Sequence, residues 1–225
     1  MANTREIRQL DAMSVGFGVG SLLFAVGAVM ATVQAAPVLN SVVYAVGAVC
    51  FTAAAAVQWI AAADHRPPSR WRDPDWASAA IQFVGTVAFN IMTIRALALS
   101  LNRPGTDYGA VWTPDVVGSV LFLVSSWIAW HPIAREHRHH VLHGRSALIC
   151  VSNMLGSVFF GLSAVGAYML PSGTLQNQAW NNWGTFLGAV GFFIAAMALR
   201  PTADEARETA AQPRSQSLPG PGSAT

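Results

Sequence analysis

"SALICVSNMLGSVFFGLSAVGAYML", residues 146–170, runs for 25 residues without an Asp, Glu, Arg or His. About 20 apolar residues are enough to cross the roughly 30 Å hydrocarbon layer of a bilayer. Backbone inside that layer finds no water, so it must satisfy its own hydrogen bonds as a helix. Similar runs lie at about 14–34, 39–62, 77–100, 114–131 and 182–200. The fourth, from Pro114 to His131, is the shortest and is bounded by interface residues at both ends. The sequence therefore predicts an all-α, polytopic transmembrane bundle of six spans.

Composition points the same way. Of 225 residues, 53% are hydrophobic and only 11% charged, with mean hydropathy +0.40. A soluble surface carries about 25% charged residues. The net charge of +2 is scattered in short islands, which gives no footprint for nucleic acid. All 13 basic side chains are arginine. Cys50 and Cys150 each fall in an apolar run and are expected to differ in depth by on the order of 10 Å, too far to bridge. Both read as small buried thiols.

Arginine placement predicts orientation. Arg5 and Arg8 precede the first run; Arg66, Arg70 and Arg72 follow the second; Arg135, Arg138 and Arg145 follow the fourth; Arg200 closes the sixth. The three opposite segments hold Arg103 alone. The positive-inside rule then places both termini in the cytoplasm of a bacterial inner membrane. All eight tryptophans fall near span ends, where amphipathic rings favour the headgroup level. The first run also reads as a signal peptide with Val33-Gln34-Ala35 before the cleavage point, but its length favours a retained span. Residues 1–13 are expected as a cytoplasmic N-terminus, 14–200 as the membrane domain and 201–225 as a disordered cytoplasmic tail, too polar to offset chain entropy.

A short motif recurs inside the spans. It reads GSLLF from Gly20, GAVCF from Gly47, GTVAF from Gly85, GSVLF from Gly118, GSVFF from Gly156 and GAVGF from Gly188. Gly47 to Gly85 and Gly118 to Gly156 are both 38 residues, and Gly85 to Gly156 is 71. This spacing predicts three repeated helical hairpins. Gly and Phe at i and i+4 share one helix face. Helices in lipid associate through close contact of small residues, so the six glycines are assigned to helix packing.

The Gly-Ser-apolar-apolar-Phe cores at Gly118, Ser119 and Phe122, and at Gly156, Ser157 and Phe160, resemble the YrhK-like family of small bacterial membrane proteins. That resemblance implies about three tandem two-span units over roughly residues 14–200. Gly47-Ala48 and Gly188-Ala189 depart from it by lacking the hydroxyl. The family has no assigned activity, so the resemblance supplies no function.

Few residues carry chemistry. Arg95 is the one basic residue in the interior of a span, near its end, with Asp107 and, at the edge of the next span, Asp115 as candidate partners. It reads as an anchor that snorkels to the interface, or as a contact for an anionic solute. Asn90 and Asn153 read as interhelical hydrogen-bond groups, or as further solute contacts. A transport path would bring Arg95, Asn90 and Asn153 to one cavity. The uncharged segment PSGTLQNQAWNNWG, 171–184, reads as an interface cap or as a neutral-ligand site. In HPIAREHRHHVLHGR, 131–145, a helix would align Glu136, His139, His140 and His143. His139, His140 and His143 are the candidate metal ligands; the alternative is a basic loop facing anionic lipid. No cofactor is expected, and no catalytic constellation is visible. The expected role is a non-enzymatic integral membrane protein in contact with lipid, with a membrane-protein partner or a second copy as possible company. The alternative is a transporter or channel for a small neutral or anionic solute.

Overall fold

The computed structural model describes residues 4–64, 73–103, 105, 107–136, 144–205 and 207, those of 132–136 by backbone alone. Six helices account for nearly all of them: α1 (Thr4–Thr32), α2 (Pro37–Asp64), α3 (Pro74–Ser100), α4 (Tyr108–Glu136), α5 (Arg145–Gly166) and α6 (Gln178–Leu199). The shortest have 22 residues, about 33 Å of helix at ~1.5 Å per residue. All six are long and apolar enough to cross a membrane, so the chain is a multi-pass integral membrane protein.

Local sequence sets the helix ends. Pro37 and Pro74 sit at first helical positions, where a missing N–H costs nothing. Asp73 caps α3 by accepting from the Asp75 amide at 3.0 Å, and Asn177 caps α6 by accepting from the Trp180 amide at 3.0 Å. At the C-terminus of α6 the Arg145 guanidinium donates to the carbonyls of Ala198, Leu199 and Arg200 and pairs with Glu205 at 3.0 Å. A cation there also opposes the negative end of the helix dipole. Arg145, expected only as part of the orienting loop, thus joins α5 to α6.

Two span boundaries differ from expectation. The fourth helix begins at Tyr108, not Pro114, because Asp107 accepts from the Ala110 amide at 2.6 Å and starts the helix earlier. The fifth ends at Gly166 instead of running to residue 170. There the chain turns back so closely that a Cβ on Gly166 would stand 2.6 Å from the Asn177 carbonyl. Residues 167–177 form a tight loop with a Met169–Leu175 bridge and a left-handed Gly173 at φ 81°. The expected tail beyond residue 207 and the loop at 65–72 lie outside the described residues.

Each helix packs on its neighbours in sequence, and α1 packs on α6, closing a ring of three hairpins. The end carrying the chain termini is here the terminal end; the other, where the three hairpins turn, is the turn end. An Arg5–Asp64 ion pair at 2.8 Å joins α1 and α2 at the terminal end. Burial is inverted relative to a soluble protein. Val, Leu and Ile such as Leu22, Val49, Ile94, Val120, Leu155 and Ile194 face outward, while Ser21, Thr86, Ser119 and Ser157 are wholly buried. Lipid solvates the large aliphatics, and the small and hydroxyl residues let backbones approach.

The six repeated motifs meet at the centre. Within each hairpin the contact is reciprocal. A Cβ on Gly20 would lie 2.7 Å from the Phe51 ring, and one on Gly47 would lie 2.9 Å from that of Phe24. Gly85 meets Phe122 and Gly118 meets Phe89; Gly156 meets Phe192 and Gly188 meets Phe160. The packing role assigned to these glycines has this geometry: each is the recess that its hairpin partner's phenylalanine fills.

Candidate solute-binding cavity

The six phenylalanines form two layers. Phe24, Phe89 and Phe160, from α1, α3 and α5, make one triangle with ring centroids 5.7–6.5 Å apart. Phe51, Phe122 and Phe192, from α2, α4 and α6, make the other, at 5.4–6.5 Å. The layers touch, with Phe89 to Phe122 at 5.0 Å and Phe160 to Phe192 at 5.3 Å. The geometry follows from the motif. Each Phe lies one turn past its glycine, which is toward the turn end in odd helices and toward the terminal end in even ones. Side chains tilt back toward the helix N-terminus, which draws both layers toward the glycine level. The bundle axis is filled there.

A cavity of about 220 Å³ lies on the turn side, floored by Phe24, Phe89 and Phe160. Its walls bring together Asn40 and Tyr44 of α2, Asp115 of α4 and Asn182 of α6. Across the phenylalanine layers, on the terminal side, a crevice of about 50 Å³ is lined by Gln58, Gln82 and Asn153 beside Phe192.

Asp115 is the charged group of the cavity wall. Its carboxylate has no hydrogen bond or ion pair among the described residues. Asn40 supplies a second such acceptor, since its Oδ1 is buried without a partner. Most donors around them are committed elsewhere. Tyr108 Oη donates to the Ala167 carbonyl at 3.1 Å and Trp112 Nε1 to that of Ala164 at 2.9 Å, at the C-terminal end of α5. Thr93 Oγ1 donates to Asn90 O at 3.2 Å, and Ser163 Oγ and Thr185 Oγ1 to Asn181 O at 2.8 and 2.9 Å. The cavity thus presents the Asp115 carboxylate, the Asn40 and Asn182 amides and aromatic side chains.

The three residues expected to share a solute path do not meet. Arg95 is exposed on the outside of the bundle, where Nη1 donates to the Ala110 carbonyl at 2.8 Å. That carbonyl lies four residues before Pro114, which has no N–H to offer it. Arg95 replaces the missing helical bond, and neither Asp107 nor Asp115 pairs with it. Asn90 faces a shallow outer crevice between α2 and α3. Its amide donates to Ala48 O at 3.2 Å, to Thr86 O at 3.0 Å and to Thr52 Oγ1. It joins the first hairpin to the second, and Ser126 and Ser157, 2.8 Å apart, join the second to the third. Only Asn153 borders a space on the bundle axis, the crevice on the terminal side.

His139, His140 and His143 lie outside the described residues. Among the described residues no three His, Cys, Asp or Glu side chains gather as a metal set. Cys50 and Cys150 are half-buried and unbridged. Of segment 171–184, Trp180 and Trp183 are exposed at the turn end while Asn181 and Asn182 face the cavity. The sequence alone does not mark Asp115, Asn40 and Tyr44 as a site. The available signal is a carboxylate and amides one to two turns inside the N-terminal ends of α2, α4 and α6, alternate helices that all begin at the turn end.

Comparison of the chain with protein-family models, with curated proteins and with solved structures finds no match.

Proposed function

We propose that this is a non-enzymatic, solute-binding protein of a bacterial inner membrane, with both termini in the cytoplasm. The observation that carries the reading is the polar, aromatic-walled cavity at the turn end, closed below by two layers of phenylalanine. Such concave sites with a few convergent polar groups are where small molecules bind. The hydroxyls of Tyr108, Thr93, Ser163 and Thr185 are tied to backbone carbonyls, an arrangement suited to holding walls in place. The arginine distribution supports the orientation. The Gly-Ser-x-x-Phe cores support membership of the YrhK-like family, with the three hairpins as its repeated unit.

Transport is the second reading. It is favoured by the crevice at Gln58, Gln82 and Asn153, which lies across the phenylalanine layers from the cavity. The cavity does not favour an anionic solute, because among the described residues its lining holds Asp115 and no arginine or histidine.

The test is a thermal-unfolding screen of small polar solutes on the detergent-purified full chain, beside a cavity-filling Ala96→Phe variant. A ligand present at a hundred times its Kd adds about 2.7 kcal/mol to the folded state. At least one solute class should raise Tm for the native chain and not for Ala96→Phe. A panel in which no solute distinguishes the two proteins contradicts the reading.

A further inference from the structure

We infer that the turn-end cavity takes a small organic cation, an ammonium group whose charge is met by Asp115. The inference rests on the solute-binding reading and names the class of solute. A carboxylate within a membrane bundle is costly unless something compensates its charge. Asp115 faces the cavity without an ion pair among the described residues, and Arg95, the cation within the spans, is engaged outside the bundle with the Ala110 carbonyl. A cationic occupant of the cavity would meet that charge, where otherwise a proton on the carboxyl must remove it.

Further features of the lining bear on the occupant. The unpartnered Asn40 Oδ1 gives the same cavity a second acceptor in need of a donor. The phenol of Tyr108, the indole N–H of Trp112 and the hydroxyls of Thr93, Ser163 and Thr185 already donate to carbonyls, which leaves the Tyr44 hydroxyl and the Asn40 and Asn182 amides as further polar groups of the lining. Tyr44, Tyr108 and Trp112 border the space with aromatic rings, and ring faces attract ammonium groups. The volume, about 220 Å³, is several times the ~30 Å³ share of one water. It exceeds what a bare metal ion needs and suits an ammonium carrying a few carbons.

The experiment uses the full chain in detergent with Cys50→Ala and Cys150→Ala, and one cysteine introduced at the cavity wall as Ala96→Cys. Val111→Cys is the second position if the first variant does not fold. Three methanethiosulfonates are compared: trimethylammonioethyl (cationic), sulfonatoethyl (anionic) and methyl (neutral). The cationic reagent should react about tenfold faster than the anionic one. Asp115→Asn should abolish the difference, and tetramethylammonium chloride should slow labelling in the Asp115 protein only. Equal rates for all three reagents, unchanged in Asp115→Asn, overturn the cation while leaving a solute cavity in place. No labelling at either position overturns both.

Discussion

A Cβ on Gly188 would stand 2.6 Å from Cδ1 of Phe160, closer than real side chains pack. The pair is one of six. In every hairpin a glycine of each helix receives the phenylalanine of the other, and the backbones cross there with carbonyls about 3 Å from the opposing Cβ positions. The same contact fixes hairpin pairing and aims the rings at the bundle axis. Packing and the closure of the axis are thus one feature of the sequence.

Gly188→Ala should destabilise the protein by about 1–3 kcal/mol, the usual cost of overpacking a filled core. In a chain of this size each kcal/mol moves Tm by roughly 2–4 °C. Gly161→Ala is the comparison. Its Cβ would meet only the end of the Leu123 side chain at 3.3 Å, so its Tm should fall less. Thermal unfolding in detergent measures both.

Removing a ring from each layer should open the axis. Phe89→Ala with Phe122→Ala deletes two rings whose centroids are 5.0 Å apart. The cavity and the crevice would then adjoin. Proteoliposomes carrying this double variant should release a trapped small solute faster than those carrying the native chain. The single variants each leave one layer complete and should release it slowly.

Arg95 and Pro114 should be coupled. Arg95→Ala leaves the Ala110 carbonyl without a donor and should cost about 1 kcal/mol. In a Pro114→Ala background the residue four positions on regains its N–H, and the same Arg95→Ala change should cost close to nothing. A double-mutant cycle in thermal unfolding reads the coupling. Equal costs in the two backgrounds would assign Arg95 another role.

The seam between the first and second hairpins should depend on Asn90. Asn90→Val removes its donations to Ala48 O, Thr86 O and Thr52 Oγ1. Hydrogen bonds between membrane helices average about 0.6 kcal/mol and reach about 2 kcal/mol, so a loss of about 1 kcal/mol is expected. Faster hydrogen exchange confined to α2 and α3 would locate the effect.

Much of this architecture was legible in the sequence. The apolar runs predict the six helices that are found, and the recurrence from Gly20 to Gly188 predicts hairpins, with which the helix pairing is consistent. The layering of the phenylalanines needed more: antiparallel pairing and the backward tilt of helical side chains, which no single span reveals. Arg95 was legible as an anchor but not its partner, because the demand for that partner arises from a proline on the next helix. In the sequence alone, Asp115 reads only as a partner for Arg95. Ala110 and Asp115 are five residues apart, which turns them about 140° from one another on a helix. One faces outward to Arg95 and the other faces the cavity, and only the closed ring shows what stands around it.

The central claim is that two aromatic layers separate a turn-end cavity from the terminal end. Sealed proteoliposomes of known protein orientation test it, with a single cysteine at Ala96→Cys on the cavity side or Gln58→Cys on the crevice side. A membrane-impermeant cationic methanethiosulfonate is added outside. When the turn end faces out, Ala96→Cys should be modified and Gln58→Cys should not, and the pattern should reverse with the opposite orientation. Labelling of both positions from the same side would contradict the account.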